Sequence, residues 1–168
     1  MPIIASDLKF FLSGGGSNTD PDASLGGVIS STEVVDDVLN NLFDDVSGAE
    51  HAAGDVNYRC IYLVNDSALT AYNVKLYIES NTIAADDTIA IGKDLAGVDG
   101  TADTIADENT APSPAVTFSA APNYAGAIDL GDIPAGEKYA FWIRRTVSAG
   151  STAQADDEAT LKVAVDTI

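Results

Sequence analysis

His51 and Cys60 are the one histidine and the one cysteine in this chain of 168 residues. A Ser–His or Cys–His nucleophile pair therefore has a single place to be. Nothing around His51, in the small-residue stretch 49–54, resembles a nucleophile elbow. Cys60 sits in the apolar run Tyr58 to Val64, where a small buried core residue is the simpler reading. With one cysteine no intrachain disulfide can form, and one Cys and one His cannot make a structural zinc site unaided.

Carboxylates are plentiful, and they come as sequence neighbours: Asp36-Asp37, Asp44-Asp45, Asp86-Asp87 and Asp156-Asp157. Neighbours on a strand point to opposite faces, so such a pair is not a general acid and base. Oxygen donors alternate at Asn18, Asp20, Asp22 and Ser24, like the first half of a calcium loop. That loop needs a glycine at its sixth place and an acid at its twelfth, where this chain has Ala23 and Ile29. Asn18, Asp20 and Asp22 are the calcium candidates, and Asp94, Asp99 and Asp103 form a looser oxygen-rich stretch. The expectation is no metal and no cofactor. Gly14 to Gly16 lack the Gly-Lys-Ser/Thr of a phosphate loop and read as a hinge. Arg144-Arg145 is the densest positive charge. Its plain role is an intramolecular ion pair. Its sharper role, with Trp142 beside it, is docking to an acidic neighbour, since Arg and aromatics are enriched at interfaces.

The charge balance narrows the partners. Asp and Glu number 26 against 8 Lys and Arg, a formal net charge of −18. Phosphate backbones and anionic lipids are bound through cations, so neither nucleic acid nor a membrane is expected as a partner. The first residues show no basic region followed by an apolar stretch, so no signal peptide is expected, and the protein is expected to be made in a cytoplasm. No catalytic constellation emerges, and the expectation is a protein that is not an enzyme.

The elements read mainly as strands. Leu8–Leu12 is a short strand, followed by a Gly-rich stretch that could form an arm ordered only on assembly. Residues 30–46 carry Val34, Val35, Val38, Leu39, Leu42 and Phe43 at helical spacing, with Ser30 and Glu33 as a capping box, and predict the one helix. Valine is a modest helix former, and Asp44-Asp45 would oppose the dipole. Tyr58–Asn65 is apolar apart from Arg59, as in a strand covered on both faces. A connection of hairpin length, 65–73, leads to Asn73–Ser80, where Val74, Leu76 and Ile78 alternate with polar residues. Short strands are expected at Thr88–Ile91, Val116–Phe118 and Ala127–Leu130. Tyr139–Val147 places Tyr139, Phe141, Ile143 and Val147 on one face and Trp142 on the other. Ala159–Val165 closes the set. The longest strands should be Tyr58–Asn65, Asn73–Ser80, Tyr139–Val147 and Ala159–Val165. Ile61, Leu63, Val74, Leu76, Ile78, Phe141, Ile143, Leu161 and Val163 should be buried. About nine short strands with Gly/Pro-rich connections make an antiparallel β-sandwich, immunoglobulin-like or jelly-roll-like. Residues 1–29 form the N-terminal strand and arm, and 30–168 the sandwich, with a loop-rich insertion at about 81–126.

Val64-Asn65, Asn73-Val-Lys-Leu76 and Leu130-Gly-Asp-Ile-Pro-Ala-Gly-Glu137 resemble the strand-and-turn pattern of bacterial and viral immunoglobulin-like modules. Four further stretches make the chain resemble structural proteins of tailed bacteriophages. They are Ile4 to Gly14, Ala23 to Ser31, Asn41 to Glu50 with Tyr58-Arg-Cys60, and Ile133-Pro-Ala-Gly136 with Trp142 to Thr146. The resemblance implies a virion component without enzymatic activity and does not place it within the particle. The expected position is on the capsid, decorating or cementing it through contacts with other virion subunits, above all the major capsid protein. A homo-oligomer fits the same expectation. The alternative is a carbohydrate-binding or adhesin module of a tail fibre or cell surface, which would need Tyr72, Tyr77 and Tyr124 as an exposed aromatic platform.

Overall fold

The computed structural model describes residues 2–82, 87–150 and 157–166. The described strands are β1 (Leu8–Leu12), β2 (Asp55–Asn65), β3 (Ala71–Asn81), β4 (Asp87–Val98), β5 (Ile128–Ile133), β6 (Lys138–Val147) and β7 (Ala159–Asp166). They form an antiparallel β-sandwich of a four-stranded sheet, in the order β1-β2-β6-β4, and a three-stranded sheet, β5-β3-β7.

Period-two alternation explains the packing. Ile61 and Leu63 of β2 and Tyr139, Phe141 and Ile143 of β6 face inward, where they meet Val74, Leu76 and Ile78 of β3. The alternate residues Cys60, Tyr62, Ala140 and Trp142 face outward and are buried too, beneath Leu25, Ile29, Ala102, Ile105, Val116 and Phe118. The apolar run of β2 is therefore covered on both faces, by the second sheet and by the N-terminal segment around Leu25 and Ile29 together with the long connection after β4. Leu161 and Val163 of β7, expected in the core, are only half-buried. β7 is an edge strand, so its inward side chains have neighbours on one flank only.

Several expectations are corrected. Residues 30–46 are not a helix. Residues 30–34 run along β1 instead: Leu12 N–H donates to the Thr32 carbonyl, Ser30 N–H to that of Leu12, and Val34 N–H to that of Phe10. Asp37 and Asn40 then adopt left-handed φ of 55° and 56°, which breaks any helix. The β-branched Val34 gains a place along the sheet edge, and a helix here would carry acids at its C-terminus. The helix α1 is Gly48–Ala53, capped by Ser47 and Glu50 in reciprocal hydrogen bonds. β4 has 12 residues and is longer than the four-residue strand expected there. Val116–Phe118 is not a strand; Val116 and Phe118 pack on the sheet through their side chains, and an isolated backbone bridge joins Ile91 with Ser119.

The 65–73 connection is not a hairpin, because β2 and β3 lie in different sheets. Asn65, fully buried, builds that corner. Its amide donates to the carbonyls of Leu69, Ile133 and Pro134, and its Oδ1 accepts from Ser67. The Gly-rich segment is packed against the sandwich rather than hinged. Gly14 has φ 92°, and a Cβ there would overlap the Ala23 carbonyl. Ser13, Ser24 and Ser30 around it are buried.

Candidate functional site

The arginines organise one end of the sheet. Asn57 and Arg145 are register partners, as are Arg59 and Ile143, so Arg59 and Arg145 are diagonal neighbours on one face of β2 and β6. Arg59 is fully buried. Its guanidinium meets Asp22 Oδ1 and Glu108 Oε2, each at 2.7 Å, and donates to the Leu42 and Tyr58 carbonyls. Arg145 donates to the Asp44 carbonyl at 2.6 Å, to Asp44 Oδ1 at 3.2 Å, and to Asn57 Oδ1. Both guanidiniums pack on the Phe43 ring. Three loops, around residues 22, 44 and 108, are thus tied to one sheet by two buried cations.

This corrects the docking expectation for Trp142 and Arg145. Trp142 is fully buried, and its indole N–H donates to Asp94 Oδ2 at 2.7 Å. Arg145 is 4% exposed and makes the intramolecular ion pair of the plainer reading. Arg144, half-buried, points to the other face and lies 5.0 Å from the Phe118 ring centroid. The sequence does carry a signal for Arg59: a lone cation inside an apolar strand of a cation-poor chain marks a buried ion pair.

The calcium candidates have other work. Asn18 Oδ1 accepts from Asp20 N–H, Asp20 Oδ1 accepts from Asp22 N–H as the cap of a short turn, and Asp22 holds Arg59. Asp94 and Asp103 line one cleft with Thr101 and Pro114, whereas Asp99 pairs with Lys138. Among the described residues no group of three or more His, Cys, Asp or Glu side chains is placed to hold a metal ion. Of the acidic neighbours, Asp86 and Asp156 lie outside the described residues. Cys60 is sealed in the outer cluster, and burial pushes its thiol pKa up, with the charge of Asp94 adding to the effect. His51 lies on α1, its backbone N–H donating to the Ser47 carbonyl.

The surface is defined by how the cations are used. Lys9 pairs with Asp66, Lys138 with Asp99 and Lys162 with Glu79. Lys75 lies over Tyr124, and Lys93 donates to the Asp129 carbonyl. With Arg59, Arg144 and Arg145, all 8 cations have an intramolecular contact. Exposed carboxylates are interspersed with exposed apolar side chains, of which Val35, Val38 and Leu39, 60%, 50% and 79% exposed, project from a single segment. Their segment neighbours Leu42 and Phe43 pack against the core and anchor it. Among the described residues no helix is long and apolar enough to cross a membrane. No family model, no curated protein and no solved structure matches this chain.

Proposed function

We propose that this protein is a non-enzymatic structural component of a tailed-phage particle, decorating or cementing the capsid. The observation that carries the reading is the projection at Val35, Val38 and Leu39, anchored by Phe43 between two arginines and flanked by Glu33, Asp36, Asp37, Asp44 and Asp45. An apolar tip in an acidic collar fits an apolar depression with a basic rim on a capsid subunit. With every cation engaged inside the chain, long-range attraction to packaged nucleic acid is absent and attraction to basic protein surfaces remains. The resemblance to phage structural proteins supports another virion subunit as the partner, and of these the major capsid protein is the one proposed.

The test is to mix purified protein with undecorated capsids and measure saturation and symmetry. Saturable binding at symmetric positions is expected, weakened at least tenfold by Leu39→Asp, a substitution at an exposed position that leaves the fold intact. Binding that is absent, or indifferent to Leu39, overturns the reading.

A second reading, a glycan-binding module, is favoured by one feature. Tyr124 is 50% exposed and meets Tyr77 edge-on at 6.3 Å, with Lys75 over its ring, on the outer face of the three-stranded sheet. Glycan binding abolished by Tyr124→Ala would favour it.

A further inference from the structure

We infer that β7 is a self-association edge, on which a second copy of this chain adds its own β7 about a two-fold axis at Val163. β7 bonds β3 along one side, and among the described residues no strand lies along the other. Such an edge presents backbone donors and acceptors to any strand that fits. One usual protection is missing, since residues 160–166 contain no proline, and the lysine among them is balanced: the charges of Lys162 and Asp166 sum to zero in a chain of −18. The inward residues Leu161, Val163 and Val165 touch the core yet stay half-buried, so apolar surface remains open along the same flank.

The occupant follows from the register. Antiparallel pairing centred on Val163 sets Leu161 opposite Val165, Lys162 opposite Ala164, and Thr160 opposite Asp166. The three inward residues of each copy then form one continuous apolar row. On the outward face Lys162 has Asp166 of the other strand as its diagonal neighbour, within reach of a long side chain. No like charges stand directly opposite one another. A two-fold axis normal to the sheet keeps inner face with inner face, so two three-stranded sheets join into one. The net charge of −18 per copy opposes association at long range, while the edge itself is neutral. Salt therefore strengthens the dimer by screening that repulsion. Docking of an acidic collar on a basic rim weakens with salt, so the two contacts separate experimentally.

The full chain is examined by sedimentation equilibrium across protein and salt concentration, and by oxidative cross-linking of variants that each add one cysteine to the native Cys60. A monomer–dimer equilibrium that tightens with salt is expected. Val163→Cys should cross-link to dimer, because residue 163 faces itself across the axis within disulfide reach. Leu161→Cys and Val165→Cys should not, because each lies about four residues from its own copy, on the order of 13 Å. Buried Cys60 should stay silent in all three. Ala164→Lys, which sets lysine opposite lysine, should weaken association at least tenfold, and Ala164→Glu should strengthen it; circular dichroism and melting temperature check that both variants fold. A chain that stays monomeric at high salt, or cross-links as readily through residue 161 as through 163, overturns the inference. Capsid binding that persists with Ala164→Lys leaves the proposed function standing on its own.

Discussion

Arg59 and Arg145 share one aromatic ring: their guanidinium carbons lie 5.2 and 4.9 Å from the centroid of Phe43. Two cations on diagonal positions of one sheet face would repel across a dry gap. The ring between them and the carboxylates of Asp22, Glu108 and Asp44 make the arrangement stable. The projection at Val35–Leu39 leaves the core at this cluster.

The ion-pair cluster should behave as a unit. Asp22 is half exposed, so Asp22→Ala alone should cost about 1 kcal/mol, with Glu108 still neutralising Arg59. Asp22→Ala with Glu108→Ala strands a fully buried guanidinium and should cost about 3–5 kcal/mol, more than the sum of the single changes. Urea unfolding of the two single variants and the double variant checks this. An additive result would mean that the guanidinium finds water.

Trp142 is the one tryptophan of the chain, so its emission reports a single site. Full burial predicts blue-shifted emission that a neutral quencher barely reaches. Asp94→Ala removes the acceptor for the indole N–H and for the Ala96 amide, and should cost about 1–3 kcal/mol. Denaturant unfolding followed by this fluorescence gives both readings. Emission typical of exposed indole in the native protein would contradict the outer cluster.

Tyr62 gives the protein an alkaline limit. Its hydroxyl donates to the Gly27 carbonyl at 2.6 Å and accepts from Ala102 N–H at 3.0 Å. Burial pushes its pKa from 10.0 up to about 12, with the Ala102 amide pulling the other way. A folded pKa above the unfolded one favours the protonated form in the native state. Its contribution is therefore full below pH 10.0 and lost as pH rises through about 12. Burial acts in the same direction on Cys60. Stability against urea should fall steadily on that alkaline limb. Tyr62→Phe should flatten the fall and cost about 1–3 kcal/mol at neutral pH, since the Ala102 amide loses its acceptor. Tyrosinate absorbance against pH checks the late titration.

Much of the β architecture is legible along the chain because side-chain alternation is a local property. Tyr58–Asn65 reads as covered on both faces, and Ile61 and Cys60 do enter different clusters. Phe141 and Trp142 divide the same way. Residues 30–46 show where local reading fails. Their apolar spacing suits a helix, but the backbone of β1 offers Val34 a partner that spacing cannot reveal. Some of the apolar set then packs on the core, while Val35, Val38 and Leu39 are left outside.

The candidate site divides along the same line. Residue types by themselves determined the anionic character, the single histidine and single cysteine, and the strands with their buried faces, because charge and period two need no knowledge of partners. Only the tertiary structure decided where each cation ends. Arg145 and Trp142 look like docking residues in sequence and are interior, because Asp44 and Asp94 arrive from 101 and 48 positions away. Arg59 is at the centre of the arginine cluster for the same reason, held by Asp22 and Glu108 from either side of it in sequence. A buried charge must find its counter-charge in space, and the separation along the chain places no limit on where that partner comes from.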